Sequence, residues 1–145
     1  MSEDALAASK AVARRVLELI SRYEFGQALE LLAPDAVWSE FGRVHHRKDQ
    51  LLPDLEFLKG RLDANGISMT VRDVIAEGNR VALSVDEEAT TVEGRKYSNA
   101  FTFWFTVVDG MVTAVDQYHD SQMVLTTIRA DEGRRDYSGR FEDAR

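Results

Sequence analysis

The chain has 145 residues, 44% of them hydrophobic and 30% charged, with no cysteine and a formal net charge of -7. That length buries a core without staples, and the missing cysteine removes disulfides, thiolate metal sites and cysteine nucleophiles. The acidic balance works against nucleic acid and anionic membrane surfaces, whose non-specific binding relies on lysine and arginine displacing counterions from phosphates. A small neutral or weakly polar ligand fits better, and a reducing cytoplasm is the expected setting.

Leu6, Ala13, Val16, Leu17 and Ile20 recur at helical spacing, so residues 4–22 read as an amphipathic helix that Ser2 or Asp4 can cap. A shorter helix follows over 24–32 and stops before Pro34. Residues 36–41 are strand-like, and 42–48, with His45 and His46, read as a loop. A third helix is expected over 49–63, capped by Asp49, with Pro53 in its first turn and Asn65-Gly66 at its end. After Gly66 the apolar period changes from about 3.6 to 2. Turn pairs Gly78-Asn79, Glu93-Gly94 and Asp109-Gly110 then divide a four-strand antiparallel meander.

The longest hairpin carries polar groups among its hydrophobics. Alternation places Tyr97, Asn99, Phe101, Phe103, Phe105 and Val107 on one face, read as the inner one, and Ser98, Ala100, Thr102, Trp104, Thr106 and Val108 on the other. The returning strand, 111–120, ends on Tyr118 and Asp120, which share a side of the pleat. A short helix over 121–129 closes a single domain of residues 1–130, and 131–145, charged and poor in apolar residues, reads as a solvated tail. Helices followed by a curled meander make an α+β arrangement with helices on one face of the sheet. The outer set Thr102, Trp104, Thr106 is half apolar, and from it homodimerisation through the outer sheet face is expected.

The order helix, helix, strand, helix, meander, together with the segments GQALELLAPDAVW (26–38), GRKYSNAFTFWF (94–105) and DGMVTAVDQYHD (109–120), resembles the nuclear transport factor 2-like superfamily, particularly its ketosteroid isomerase-like and SnoaL-like branches. The resemblance implies a cone-shaped α+β barrel enclosing an apolar pocket, in a fold where many relatives are dimers. It places Glu40 at the general-base position of the isomerases. Those enzymes stabilise a dienolate with a tyrosine and a protonated aspartate. The corresponding positions here are Val16 and Phe103, so steroid isomerisation is not expected. In the SnoaL-like cyclases an acid/base aspartate near the end of the last long strand resembles Asp120, while Gln117 replaces the usual acidic residue before the tyrosine. Epoxide hydrolases of the fold use two aspartates bridged by an arginine, and no bridging arginine is evident.

Proton abstraction beside a carbonyl needs a carboxylate and a donor for the developing oxyanion. Asp120 and Glu40 are the candidate catalytic residues, and Tyr97, Asn99, Tyr118, Trp38, Phe101 and Phe103 the candidate ligand contacts. The competing reading of Asp120 is a cap for the last helix, and that of Glu40 a solvated side chain at a strand end. Beside Trp38, burial is expected to raise the proton affinity of Glu40. Glu87 falls on the inner face of its strand by alternation, unless a bulge turns it out. His45 and His46 are adjacent and point apart on extended backbone, so with His119 and Asp116 they make a poor metal set. One of these histidines as a pocket acid/base fits better. No metal and no cofactor is expected, since glycine-rich phosphate loops and dinucleotide fingerprints are missing. The expected function is binding of a small hydrophobic carbonyl compound, with cofactor-free isomerisation, cyclisation or dehydration; the alternative is a non-catalytic ligand-binding or dimerisation module.

Overall fold

Ser2 begins the first helix by accepting a hydrogen bond from the Ala5 amide at 3.1 Å, and α1 (Glu3–Ser21) buries Ala13, Val16, Leu17 and Ile20 against the sheet. The computed structural model describes residues 1–129; the segment 131–145, expected as a solvated tail, lies outside them. Next come α2 (Phe25–Glu30), β1 (Leu32–Glu40), β2 (Val44–Arg47) and α3 (Lys48–Arg61). The meander is β3 (Ser68–Glu77), β4 (Arg80–Thr90), β5 (Lys96–Val108) and β6 (Met111–His119), followed by α4 (Ser121–Thr126). The strands form one curved sheet in the order β2-β1-β6-β5-β4-β3, in which β1 and β6 are parallel and all other neighbours antiparallel. Among the described residues no helix is long and apolar enough to cross a membrane.

Three local readings change. Residues 44–47, expected as loop, form β2, because Phe41 and Gly42 both take positive φ (57° and 64°) and the Arg43 amide donates to the Glu40 carbonyl, closing a tight turn. The third helix starts at Lys48, where Gln50 Oε1 accepts from the Arg47 amide at 2.8 Å. Pro53 is therefore the sixth residue of α3, beyond its first turn. Gly66 is not the left-handed cap expected of it, because α3 ends at Arg61 with Leu62 extended; it sits at φ 81°, and a Cβ there would lie 2.5 Å from the Ser21 carbonyl oxygen. That close approach lets the Ile67 amide donate to the same oxygen and ties the start of the meander to the end of α1.

Candidate active site

Which side chains face the concave side is decided by one residue in β6. Val108 pairs with Met111 and Val107 with Val112, but Thr106 pairs with Ala114, so the ladder slips by one at Thr113. A one-residue slip exchanges the two faces of the strand beyond it. Phe101 consequently stands opposite His119 and Phe103 opposite Gln117. Tyr118 pairs with Thr102 and Asp116 with Trp104, on the outer face.

Behind the bulge lies a cavity of about 380 Å³ between the sheet and the helices. Its wall is mostly aliphatic and aromatic, including Leu17, Leu55, Trp38, Phe101 and Phe103. That volume is within the roughly 300–1,000 Å³ of ligand sites. Phe101, Phe103 and Phe105 therefore do not fill the cone.

One part of this wall is a polar cluster centred on Glu40. His46 Nε2 lies 3.1 Å from Glu40 Oε2, and its Nδ1 lies 3.2 Å from Asp54 Oδ2 on α3. Both ring nitrogens thus face carboxylates, and the ring fills both contacts when each carries a hydrogen. His119 Nε2 is 3.7 Å from Glu40 Oε1, and its ring stacks on Phe101 with centroids 4.6 Å apart. Trp38 Nε1 donates to Gln117 Oε1 at 2.7 Å, which turns the Gln117 amide to donate to Glu40 at 3.4 Å. Burial raises the Glu40 carboxyl, contrary to which the hydrogen bonds and charge of His119 and His46 prevail and hold it down at about 2. The raised proton affinity expected beside Trp38 is corrected accordingly. Glu40 keeps 26% of its side chain accessible, so it remains reachable from the cavity.

Glu87 has no such company. The β4–β5 ladder is unbroken from Arg80 opposite Thr106 to Thr90 opposite Lys96, so alternation carries Glu87 inward with Val81, Leu83 and Val85. Its side chain lines the cavity, and burial pushes the carboxyl up to about 8. Tyr97, also in the wall, is raised by burial and then by the nearby Glu87 charge.

Of the side chains singled out in the sequence, Glu40, Trp38, Tyr97, Phe101 and Phe103 line the cavity, and Asp120, Tyr118 and Asn99 do not. Asp120 is exposed, and its Oδ1 accepts from the Gln122 and Met123 amides as the N-cap of α4. Tyr118 is 42% exposed on the outer face, where its hydroxyl donates to Asp116, whose other oxygen accepts from the Gly42 amide. Asn99 is buried but spent: its amide donates to Tyr97 Oη and the Asp120 carbonyl, and its oxygen accepts from the Ala100 and Asp120 amides. It fastens the end of β6 and does not face a ligand. His45 bonds Ser39 on the opposite face from His46, so with Asp116 it stays outside the cavity. Trp104 is 39% exposed beneath the Arg80 guanidinium.

Gln117 and Asp54 were missed as site residues. Val112 and Val115 are both buried, three apart, a spacing that strict alternation forbids and that marks the bulge. Asp54 falls at helical spacing between Leu51 and Leu58, both in the cavity wall.

An α+β cone of helices over a curved six-strand sheet is the nuclear transport factor 2-like fold. The chain belongs to the SnoaL-like domain family, whose profile matches residues 13–115. No curated protein matches the sequence. Similar solved structures include a protein from Jannaschia assigned as a SnoaL-like polyketide cyclase, at 15% identity and TM-score 0.76, covering 90% of this chain and 97% of that one. Another is AclR from Streptomyces galilaeus, assigned as a hydroxylase, at 19% identity and TM-score 0.74, covering 86% and 98%. A third is an LEH-like epoxide hydrolase from M. tuberculosis, at 16% identity and TM-score 0.71, covering 87% and 92%. At these identities the likeness is one of fold, and the fold carries several chemistries.

Proposed function

We propose that this protein binds a small hydrophobic carbonyl compound, polyketide-, terpenoid- or steroid-like, in its cavity and moves a proton on it without a cofactor, as an isomerase, cyclase or dehydratase does. The observation that carries the reading is the convergence of Glu40, His46, His119 and Gln117 on one part of an otherwise largely apolar cavity wall. Glu40 is the base: it is ionised, accessible and held in place from three sides. His46, backed by Asp54, fixes the carboxylate in place. A carboxylate held near 2 is a weak base, so its substrates are carbon acids activated twice, such as a methylene between two carbonyls or between a carbonyl and an arene.

The test is hydrogen–deuterium exchange at the benzylic carbon of 2-tetralone in D2O, followed by NMR. The protein should accelerate exchange above the buffer rate, and Glu40→Gln should lose at least ~100-fold of that acceleration. Exchange at the buffer rate, or equal exchange in the variant, would overturn the catalytic assignment. The same weak basicity favours a second reading, a module that binds such compounds without turning them over; it predicts saturable 2-tetralone binding with no exchange.

A further inference from the structure

Buried polar groups are nearly always partnered, so two unsatisfied hydroxyl donors facing one cavity call for an explanation. Glu87 is 6% exposed, lines the cavity, and has no hydrogen bond or ion pair among the described residues. It stands opposite Asn99 and diagonally from Tyr97, on the same face of the β4–β5 pair. Asn99 cannot serve it, because its amide is committed to Tyr97 and to the Asp120 backbone. Tyr97 Oη accepts one of those bonds at 3.0 Å, which leaves its own hydrogen with no acceptor among the described residues.

The protonation of the pair makes both groups donors. Burial raises each, so near neutrality Glu87 is a carboxylic acid and Tyr97 a phenol. Two O–H donors on one face of the β4–β5 pair are matched by an oxygen with two lone pairs and no hydrogen to dispose of, as in a carbonyl. A carboxylate ligand would be repelled whenever Glu87 ionised. An ammonium ligand would instead draw the proton off Glu87 and pair with the carboxylate, which the amine arm of the test below reads.

Position adds a second constraint. Glu87 is on β4 and Glu40 on β1, three strands apart in the sheet. At ~4.8 Å per strand that is roughly 14 Å measured along the sheet. Glu87 and Glu40 thus belong to different parts of one cavity wall.

We propose that Glu87 and Tyr97, on β4 and β5, form a receptor for a carbonyl oxygen of the ligand. The ligand's orientation toward Glu40 rests on the function proposed above, whereas the receptor itself does not.

The experiment uses 2-tetralone labelled with 13C at the carbonyl, which carries a single oxygen and reports equilibrium binding without turnover. On binding the full chain, the carbonyl carbon should move downfield of its position in an apolar solvent. Glu87→Leu and Tyr97→Phe should each weaken binding about tenfold and reverse part of the shift. Circular dichroism checks that both variants fold, and Glu87→Gln, which keeps a donor, should restore part of the affinity. An unshifted carbonyl, affinity unchanged in both variants, preferential binding of 2-aminotetralin, or no ketone binding at all would each overturn the receptor. Binding that persists in Glu40→Gln, with the carbonyl shift intact and exchange never accelerated by the native protein, would sink the proposed proton transfer and leave the receptor standing.

Discussion

Glu40 and Glu87 line the same cavity and are driven in opposite directions. Burial raises both, and for Glu87 nothing opposes it, so the carboxyl reaches about 8. For Glu40 the two histidines outweigh burial and the carboxyl falls to about 2. The difference teaches that company, more than depth, decides whether a carboxyl in this cavity is an acid or an anion. Paired titratable groups pushed apart in this way are how one site holds an acceptor and a donor of protons at a single pH.

The largest expected effect comes from removing the acid. Below the ordinary value of 4.5 Glu87 is protonated folded or unfolded and costs nothing. As pH rises toward about 8, the unfolded chain releases a proton that the folded one retains, so stability falls over that window. The accumulated cost at pH 8 is on the order of 3 to 5 kcal/mol. Glu87→Gln should therefore match the native protein at pH 4 and exceed its unfolding free energy by a few kcal/mol at pH 8, measured by urea titration. Tyr97 is the ionisable neighbour on β5, and it titrates above this window. An unchanged pH profile would mean that Glu87 is not desolvated and would dissolve the contrast.

Removing the anion should act at the other end of the scale. Glu40 contributes stability above 4.5 that is lost as pH falls toward about 2, because the unfolded chain takes up the proton first. Glu40→Gln should be less stable than the native protein by about 2 kcal/mol at pH 6, with His46 and His119 left without their shared anion, and equal to it at pH 2. Urea unfolding at those two pH values checks the sign.

The same contrast runs through what the sequence reveals. Alternation was reliable wherever the ladder was unbroken, as on β4 and β5, and there it placed Glu87, Tyr97, Phe101 and Phe103 on the inner face. It failed on both sides of that pair. A bulge between Val71 and Asp73 shifts the phase of β3, leaving Ile75 63% exposed and bringing Val74 and Ala76 to the core. The bulge at Thr113 turns Tyr118 out and His119 in. Neither bulge contains a glycine or proline to announce it. His46 was obscured by a turn with Phe41 at positive φ, a conformation that aromatic residues seldom take. The superfamily resemblance survived these slips because it rests on element order and spacing, which a one-residue shift leaves intact.

Asp120 offers a third carboxylate against which the other two can be sharpened. The sequence allowed it to be a base or a cap, and its Oδ1 lies 2.9 Å from the Gln122 amide at the start of a six-residue helix. A helix that short has little stability of its own, so its first turn depends on the cap. Asp120→Ala should cost about 1 kcal/mol in urea unfolding, whereas Asp120→Asn, whose side-chain oxygen caps equally well, should cost only a few tenths. Proton exchange on 2-tetralone should stay within about twofold of the native rate in both, since neither change reaches Glu40. Val124 and Leu125 of α4 line the cavity, so a frayed helix would show first as weaker ketone binding in the alanine variant alone. Exchange lost in Asp120→Asn as fully as in Glu40→Gln would return Asp120 to the chemistry; stability lost in the alanine variant with exchange retained separates a carboxylate that holds the wall from one that works inside it.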